Sequence, residues 1–149
     1  MVETTLSIND CLLRQNPDTR RCFVGTFPCD AIPQLKRLPA ALILNHDPSA
    51  QPGSHWVALY VSATRTAYYF DPFGEEPPNG PIVDYLHQFR SVERNRCRFQ
   101  PLDSIACGAF AIYMVFHLCR GESFDRVLSR LCTSPDPNAL VQRFVESIC

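Results

Sequence analysis

Four residues in this chain have the types and the order that acyl transfer to a thiol requires: His55, Asp71, Gln100 and Cys107. Cys107 follows Ser104-Ile105-Ala106 and is followed by Gly108, at the start of an apolar run that reads as a helix. At a helix N-terminus the macrodipole and the unpaired amides stabilise a thiolate, which makes the sulfur a nucleophile. Gly108 leaves room for a substrate backbone, and the first-turn amides point towards a developing oxyanion. His55 and Asp71 are symmetric about residue 63. If a hairpin turns there, they fall nearly opposite each other with Cβ atoms about 4.5–5.5 Å apart, close enough for a carboxylate to orient an imidazole. Gln100, seven residues before Cys107, offers a neutral amide donor of the kind an oxyanion hole uses. Each residue also has a plainer reading: a surface His beside a surface Asp, a polar residue at a strand end, a structural cysteine at a tight helix start. Together they supply a nucleophile, a base, an orienter and an oxyanion donor.

The elements that must position these residues follow from the pattern of apolar residues and turn formers. Ser7 with Asp10 three residues on resembles a capping box, and Ile8, Leu12 and Leu13 extend it into a helix from Ser7 to Gln15, stopped by Asn16-Pro17-Asp18. Cys22 to Phe27 and Ala40 to Leu44 read as strands, separated by a segment punctuated by Pro28, Pro33 and Pro39. Asp47 to Gly53 is a loop. His55 to Val61 and Ala67 to Asp71 are β-branched and aromatic, which with the intervening polar residues 62–66 predicts a hairpin. Gly74 to Pro81 is a second loop, Ile82 to Phe89 has helical spacing, and Cys97 to Gln100 reads as a short strand. The run Cys107 to Cys119 is apolar on nearly every face, so its helix is the buried centre of the domain. Gly121 suits its C-terminus, Ser123 to Leu131 gives another helix, and Asp136-Pro137 caps a last one ending near Ile148. The sum is an α+β architecture in one domain over 1–149, a small mixed or antiparallel sheet packed on a central buried helix.

Composition narrows the classes. The chain has 149 residues, 46% hydrophobic and 19% charged, enough to bury roughly 68–70% of its unfolded surface without a metal or disulfide staple. Lys+Arg 14 against Asp+Glu 15 leaves a net charge of -1, which gives no support to nucleic acid as a partner. Arg90, Arg94, Arg96 and Arg98 form a local basic cluster, read as a solvated face with phosphate contact as the alternative. The longest apolar run, from Ile105, is too short for the roughly 20 residues of a membrane span, and Met1 to Asp10 lacks the pattern of a secretory leader. An intracellular, unsecreted protein is the expectation. No two of the eight cysteines form a C-x-x-C unit and there are four histidines, so no metal site is expected and most thiols are taken as reduced, small buried hydrophobes.

Three blocks, Gly53-Ser54-His55-Trp56-Val57-Ala58, Tyr69-Phe70-Asp71-Pro72-Phe73-Gly74 and Gln100-Pro101-Leu102-Asp103-Ser104-Ile105-Ala106-Cys107-Gly108, resemble the signature blocks of the adenovirus-type cysteine proteases, the adenain family, related in fold to the Ulp1-type deSUMOylating proteases. Cys22 to Phe27 and Ala40 to Asn45 match the order of elements before the family's histidine, so the resemblance spans roughly residues 7–120. It implies an adenain/Ulp1-like fold and an endopeptidase. Cys107 would be its nucleophile, His55 its general base, Asp71 the group holding the imidazole, and Gln100 an oxyanion donor beside the amide of Cys107. Trp56 would pack over the site or serve as a core aromatic. It further implies capsid or core precursor proteins as substrates, cut at Gly-containing sites, in an adenovirus-like virus, virophage or Maverick/Polinton-type element, acting in the host nucleus or cytoplasm and in the virion. Two departures stand out: the family's acidic member is often Glu, and Cys97 lies too near Cys107 to take the part of the family's peptide-tethering cysteine. No cofactor is required by the residues themselves, and the peptide or DNA activator that the family would imply has no counterpart motif. A deconjugating protease for a ubiquitin-like modifier would use the same residues, but the spacing from Gln100 to Cys107 is one residue longer than those enzymes use. A binding module descended from such an enzyme would not need all four positions filled with competent residues.

Overall fold

In the structure, a computed structural model, residues 4–47, 55–101 and 104–149 are described. The loop expected at 47–53 lies outside them beyond Asp47, as do Gly53, Ser54, Leu102 and Asp103 of the signature blocks and the first three residues of the expected leaderless start. Five strands, β1 (Phe23–Pro28), β2 (Ala40–Asn45), β3 (Trp56–Val61), β4 (Thr66–Phe70) and β5 (Ser91–Arg94), form one sheet in the order β1-β2-β3-β4-β5. The inner pairings β2–β3 and β3–β4 are antiparallel, whereas the outer pairings β1–β2 and β4–β5 are parallel. A parallel neighbour cannot be reached by a tight turn, so each outer strand needs a crossover that must run over a face of the sheet. The Pro-rich segment between β1 and β2 makes one crossover and brings Ile32, Leu35 and Leu38 onto the sheet. Helix α2 (Pro81–Leu86) makes the other, with Ile82, Tyr85, Leu86 and nearby Phe89.

These crossovers cover one face, and the helices cover the other. Strand residues alternate between the two layers. Ala41, Ile43, Trp56, Ala58 and Phe70 face helix α3 (Cys107–Leu118), while Leu42, Leu44, Val57, Leu59 and Tyr69 face the crossovers. This is why β2 is buried at all six positions and reads as an unbroken apolar run. Ten of the twelve residues of α3 are buried, and α4 (Phe124–Thr133) and α5 (Pro137–Ile148) close over it. Ser123 and Asp136 cap α4 and α5 by accepting from the amides of Arg126 and Ala139 at 3.2 and 3.0 Å. The expected single-sided packing on one central helix is therefore completed by a second layer that the sequence disguised as loop and short helix.

Three local expectations change. The first helix, α1 (Thr5–Asn9), is capped by Thr4 and Ser7, each side chain bonded to the other's amide, so the box lies three residues earlier than Ser7 and Asp10. The chain continues through a widened π turn, Asp10–Gln15, near whose start Cys11 forms a disulfide with Cys149. Cys97 to Gln100 is not a strand. The polar segment before it, Ser91–Arg94, takes the edge position as β5, and its exposure explains why no alternation of apolar residues announced it.

Phe110 is fully buried in the middle of α3, so Phe110→Ala is expected to lower unfolding free energy by about 3–5 kcal/mol in urea denaturation.

Candidate active site

The antiparallel register β2–β3–β4 brings three strand ends to one side of the sheet, and each carries a polar residue just beyond its strand: His46 after β2, His55 before β3 and Asp71 after β4. The β3–β4 pairs Ala58↔Phe70 and Tyr60↔Tyr68 centre the hairpin on residue 64 rather than 63, so Asp71 is level with Val57 and His55 reaches it diagonally. The diagonal still closes. His55 Nε2 and Asp71 Oδ1 are 2.8 Å apart, with Asp71 almost completely buried. Phe73, in the turn just after β4, stacks on the imidazole at 4.8 Å between ring centroids.

Asp71 is fixed from several directions. Its carboxylate oxygen Oδ1 also accepts from the amide of Phe73 at 2.8 Å, and its carbonyl accepts from the amide of Gly74 at 2.8 Å, a tight turn directly after β4. The side chain of Asn95, buried just after β5, grips the main chain of Asp71: Oδ1 accepts from the Asp71 amide at 2.9 Å and Nδ2 donates to the Asp71 carbonyl at 2.6 Å. The chain then folds against the turn so closely that a Cβ on Gly74 would lie 2.7 Å from the carbonyl oxygens of Arg96 and Cys97. Gly74 also has φ 72, which other residues adopt only at a cost. Next, the amides of Phe99 and Gln100 both donate to the Pro72 carbonyl at 2.8 and 3.1 Å. Residues 95–100 are thus a strap that ties the turn bearing Asp71 to Gln100.

Cys107 is the first residue of α3 and is mostly buried, and its thiol is in hydrogen-bond contact with the His55 ring. Burial disfavours a charged imidazole at His55, but the hydrogen bonds to Asp71 and Cys107 outweigh it and raise its pKa to about 9. Gly108, the second residue of the helix, is buried. Gln100 is buried and uses one amide hydrogen on the Ser104 carbonyl at 2.8 Å. Ser104 is itself held by Asn138 of α5 at 2.8 Å and accepts from the Ala106 amide at 3.1 Å, which sets the entry into α3. Trp56 lies in the α3-side core, in the same cluster as Cys107 and Phe99.

Two contributors escape sequence reasoning. His46 packs edge-on against His55 at 4.8 Å, with Nε2 3.0 Å from the Tyr69 hydroxyl. Burial, then the neighbouring His55, pushes its pKa below the ordinary histidine value, so it sits beside an imidazolium as a neutral ring. His46, His55 and Asp71 offer ligand atoms within 4.8 Å of one another, spacing compatible with a metal, although the 2.8 Å bond joins two of them directly. Asn95 lies in a run of arginines, where nothing in the spacing marks it. Of those arginines, Arg94 turns inward to the carbonyls of Gly74 and Asn95 and pairs with Glu76 at 3.2 Å, so it belongs to the strap rather than to a solvated face.

A five-stranded mixed sheet with a buried helix whose first residue is a cysteine, set against a His and an Asp at the strand ends, defines the adenain/Ulp1-type cysteine-protease fold. A crystal structure of the ASFV protease superposes with a TM-score of 0.64 at 17% identity, over 94% of this chain and 66% of that one. In sequence, the chain is 30% identical over 111 residues to a protein of Acanthamoeba polyphaga mimivirus named as a thiol protease, covering 66% of this chain and 36% of that protein. It is 27% identical over 135 residues to the protease of Bovine adenovirus 4, covering 78% of this chain and 67% of that protein. No family model matches. In sequence the chain is similar to viral proteases and in fold to a viral cysteine protease, and it spans about a third of the mimivirus protein and about two thirds of the other two.

Asn95→Ala leaves the Asp71 amide without its side-chain acceptor and takes one of two donors from the Asp71 carbonyl, and is expected to cost about 1–3 kcal/mol of stability, read by urea denaturation. Because the fold favours the protonated ring, the stabilisation linked to His55 is full below its ordinary pKa of 6.5 and is lost as pH rises through about 9. NMR titration of the imidazole should therefore show a midpoint near pH 9, moving down in Asp71→Asn; an unmoved midpoint would show that Asp71 does not set it.

Proposed function

We propose that the chain is a cysteine endopeptidase, carried by one observation: a helix-opening thiol beside an imidazole whose Nε2 a buried carboxylate holds. In this reading the Cys107 thiolate attacks the scissile carbonyl carbon while His55 holds the proton as an imidazolium, a charge state consistent with its raised pKa. The developing oxyanion takes the Cys107 amide, in the first turn of α3 and without a hydrogen-bond partner among the described residues, and the second amide hydrogen of Gln100, whose first is used on Ser104. As the tetrahedral intermediate collapses, His55 gives its proton to the leaving amine, the C–N bond breaks and a thioester remains. His55, now neutral, takes a proton from water; the hydroxide displaces the thiolate and the acid product leaves. Asp71 holds the ring in place through its hydrogen bond to Nε2. The roles of His55, Asp71, Gln100 and Cys107, with Gly108 leaving space for the substrate, are supported by their positions and by the likeness to viral proteases.

The proposed substrates are capsid or core precursor proteins of a virus or virus-like element, cut at Gly-containing sites in the infected cell or particle. Purified chain should cleave Gly-containing peptides, and Cys107→Ala should lower the rate by at least about 10³-fold. Cleavage confined to a globular ubiquitin-like fusion would instead assign a deconjugating protease, and peptide hydrolysis that survives Cys107→Ala would overturn the mechanism. Gln100→Ala should lower kcat by about 10²-fold with little change in KM, the signature of a group that acts on the transition state.

A further inference from the structure

The proposed reaction needs one imidazole and one carboxylate, and the strand ends bring a second imidazole to the same place. His46 and His55 stand one step beyond the last β2–β3 pair, Asn45↔Trp56, where the His46 amide donates to the His55 carbonyl at 3.1 Å. Their rings meet edge-on at 4.8 Å between centroids. One ligand atom from each of His46, His55 and Asp71 lies within 4.8 Å of the other two. The carboxylate also has binding capacity to spare. Asp71 Oδ1 serves both His55 and the Phe73 amide, but Oδ2 is buried without a hydrogen-bond partner among the described residues, in a side chain only 1% exposed. An unpaired buried carboxylate oxygen is costly, and a cation is a partner that satisfies it.

We propose that His46, His55 and Asp71 form a site for a divalent transition-metal ion of the zinc class, and that the bound ion switches the proposed protease off. Two imidazoles and a carboxylate are donor types that zinc takes at three-ligand sites, with water completing the tetrahedron. Nitrogen donors disfavour magnesium and calcium, which prefer oxygen shells. Tetrahedral ligands of zinc stand roughly 3.3–3.5 Å apart, so the His55–Asp71 pair opens from 2.8 Å by roughly half an ångström, and the wider separations, up to 4.8 Å, close by up to roughly 1.5 Å. Asp71 is clamped by Asn95 and by the Phe73 amide, so these adjustments fall to the two imidazoles. Each ring gives a nitrogen lone pair to the ion, and a proton held by the coordinating nitrogen passes to water.

Occupancy and catalysis then exclude each other. The ion takes the imidazole and the carboxylate that the reaction needs, so a loaded site cannot relay the Cys107 proton, and a chelator restores it. Cys107 is not among the three donors, which separates this site from a cysteine–histidine pair binding a metal through sulfur. The distinguishing ligand is His46, which the proposed reaction does not use and the ion does. No spacing in the chain announces the set, because its members come from the ends of three different strands. The inhibitory consequence rests on the protease reading, whereas the metal site itself does not.

The test titrates zinc chloride into the full chain in chelator-free buffer, followed by calorimetry and by NMR of the histidine rings. One equivalent should shift the resonances of His46 and His55 and leave those of the exposed His87 in place, and magnesium chloride should move none of them. Cys107→Ala should keep that equivalent, and His46→Gln should weaken it by at least about 10-fold. Peptide hydrolysis by the wild-type chain should fall as the equivalent fills and return with EDTA. Zinc taken up only at exposed thiols such as Cys97 and Cys132, with the His46 ring unmoved, would overturn the proposal. So would an equivalent lost in Cys107→Ala and kept in His46→Gln. The wild-type ring shifts decide the matter even where His46→Gln does not fold. They are read without any substrate, so a chain that binds zinc at these rings but cleaves nothing supports the site and overturns the protease reading alone.

Discussion

The geometry of the site depends on holding one carboxylate still. A His–Asp hydrogen bond 2.8 Å long at the end of a sheet is only as well placed as the turn that carries the Asp, and turns at strand ends are ordinarily the loosest part of a strand. Here the turn is clamped on its main chain by Asn95, on its carboxylate by the Phe73 amide, and from outside by a strap that fits only because residue 74 has no side chain. The carboxylate can therefore orient His55 without a longer side chain. Asp at this position, where the adenain family often carries Glu, is consistent with a turn brought close to the imidazole and kept there.

The rest of the architecture supplies the other half of the contact. Cys107 reaches the His55 ring because α3 is held along its length by a core on one side of the sheet, and the sheet is kept from bending away by a second core on the other. The parallel outer pairings make that second core, since each forces its connection across the face that α3 does not cover. Ser104 and Asn138 then set where the helix begins, and with it where the thiol and the amides of the first turn stand. The electrostatics follow from this packing. A buried imidazole would ordinarily be neutral, as His46 is, but His55 has two hydrogen-bonding partners and carries its proton to about pH 9.

Much of the candidate site was legible in the chain because its residues sit at punctuation marks. His55 and Asp71 stand where β-branched and aromatic runs meet turn formers, and Cys107 stands where a run apolar on all faces begins, so periodicity alone places each at an element's end. The helix caps at Ser123 and Asp136 and the buried strand at Ala40–Asn45 were legible for the same reason: local preference and burial agree there. Asn95, Arg94 and His46 were not. Their work is done by hydrogen bonds and ring contacts to residues remote in the chain, which leave no periodicity, and β5, an exposed polar edge, shows none of the alternation that reveals a half-buried strand.

What the amino-acid sequence determined by itself was local: which segments are strand or helix, which helix must be buried, and which residues lie at their ends. Tertiary structure decided the rest because it turned on distances across the chain. Register moved the hairpin centre by one residue, so the His55–Asp71 contact is diagonal rather than opposite. Crossovers converted a Pro-rich segment and a short helix into a second core. The fold brought Cys11 to Cys149, a pairing that no spacing distinguishes among eight cysteines, because a thiol finds its partner only once the elements carrying both have packed.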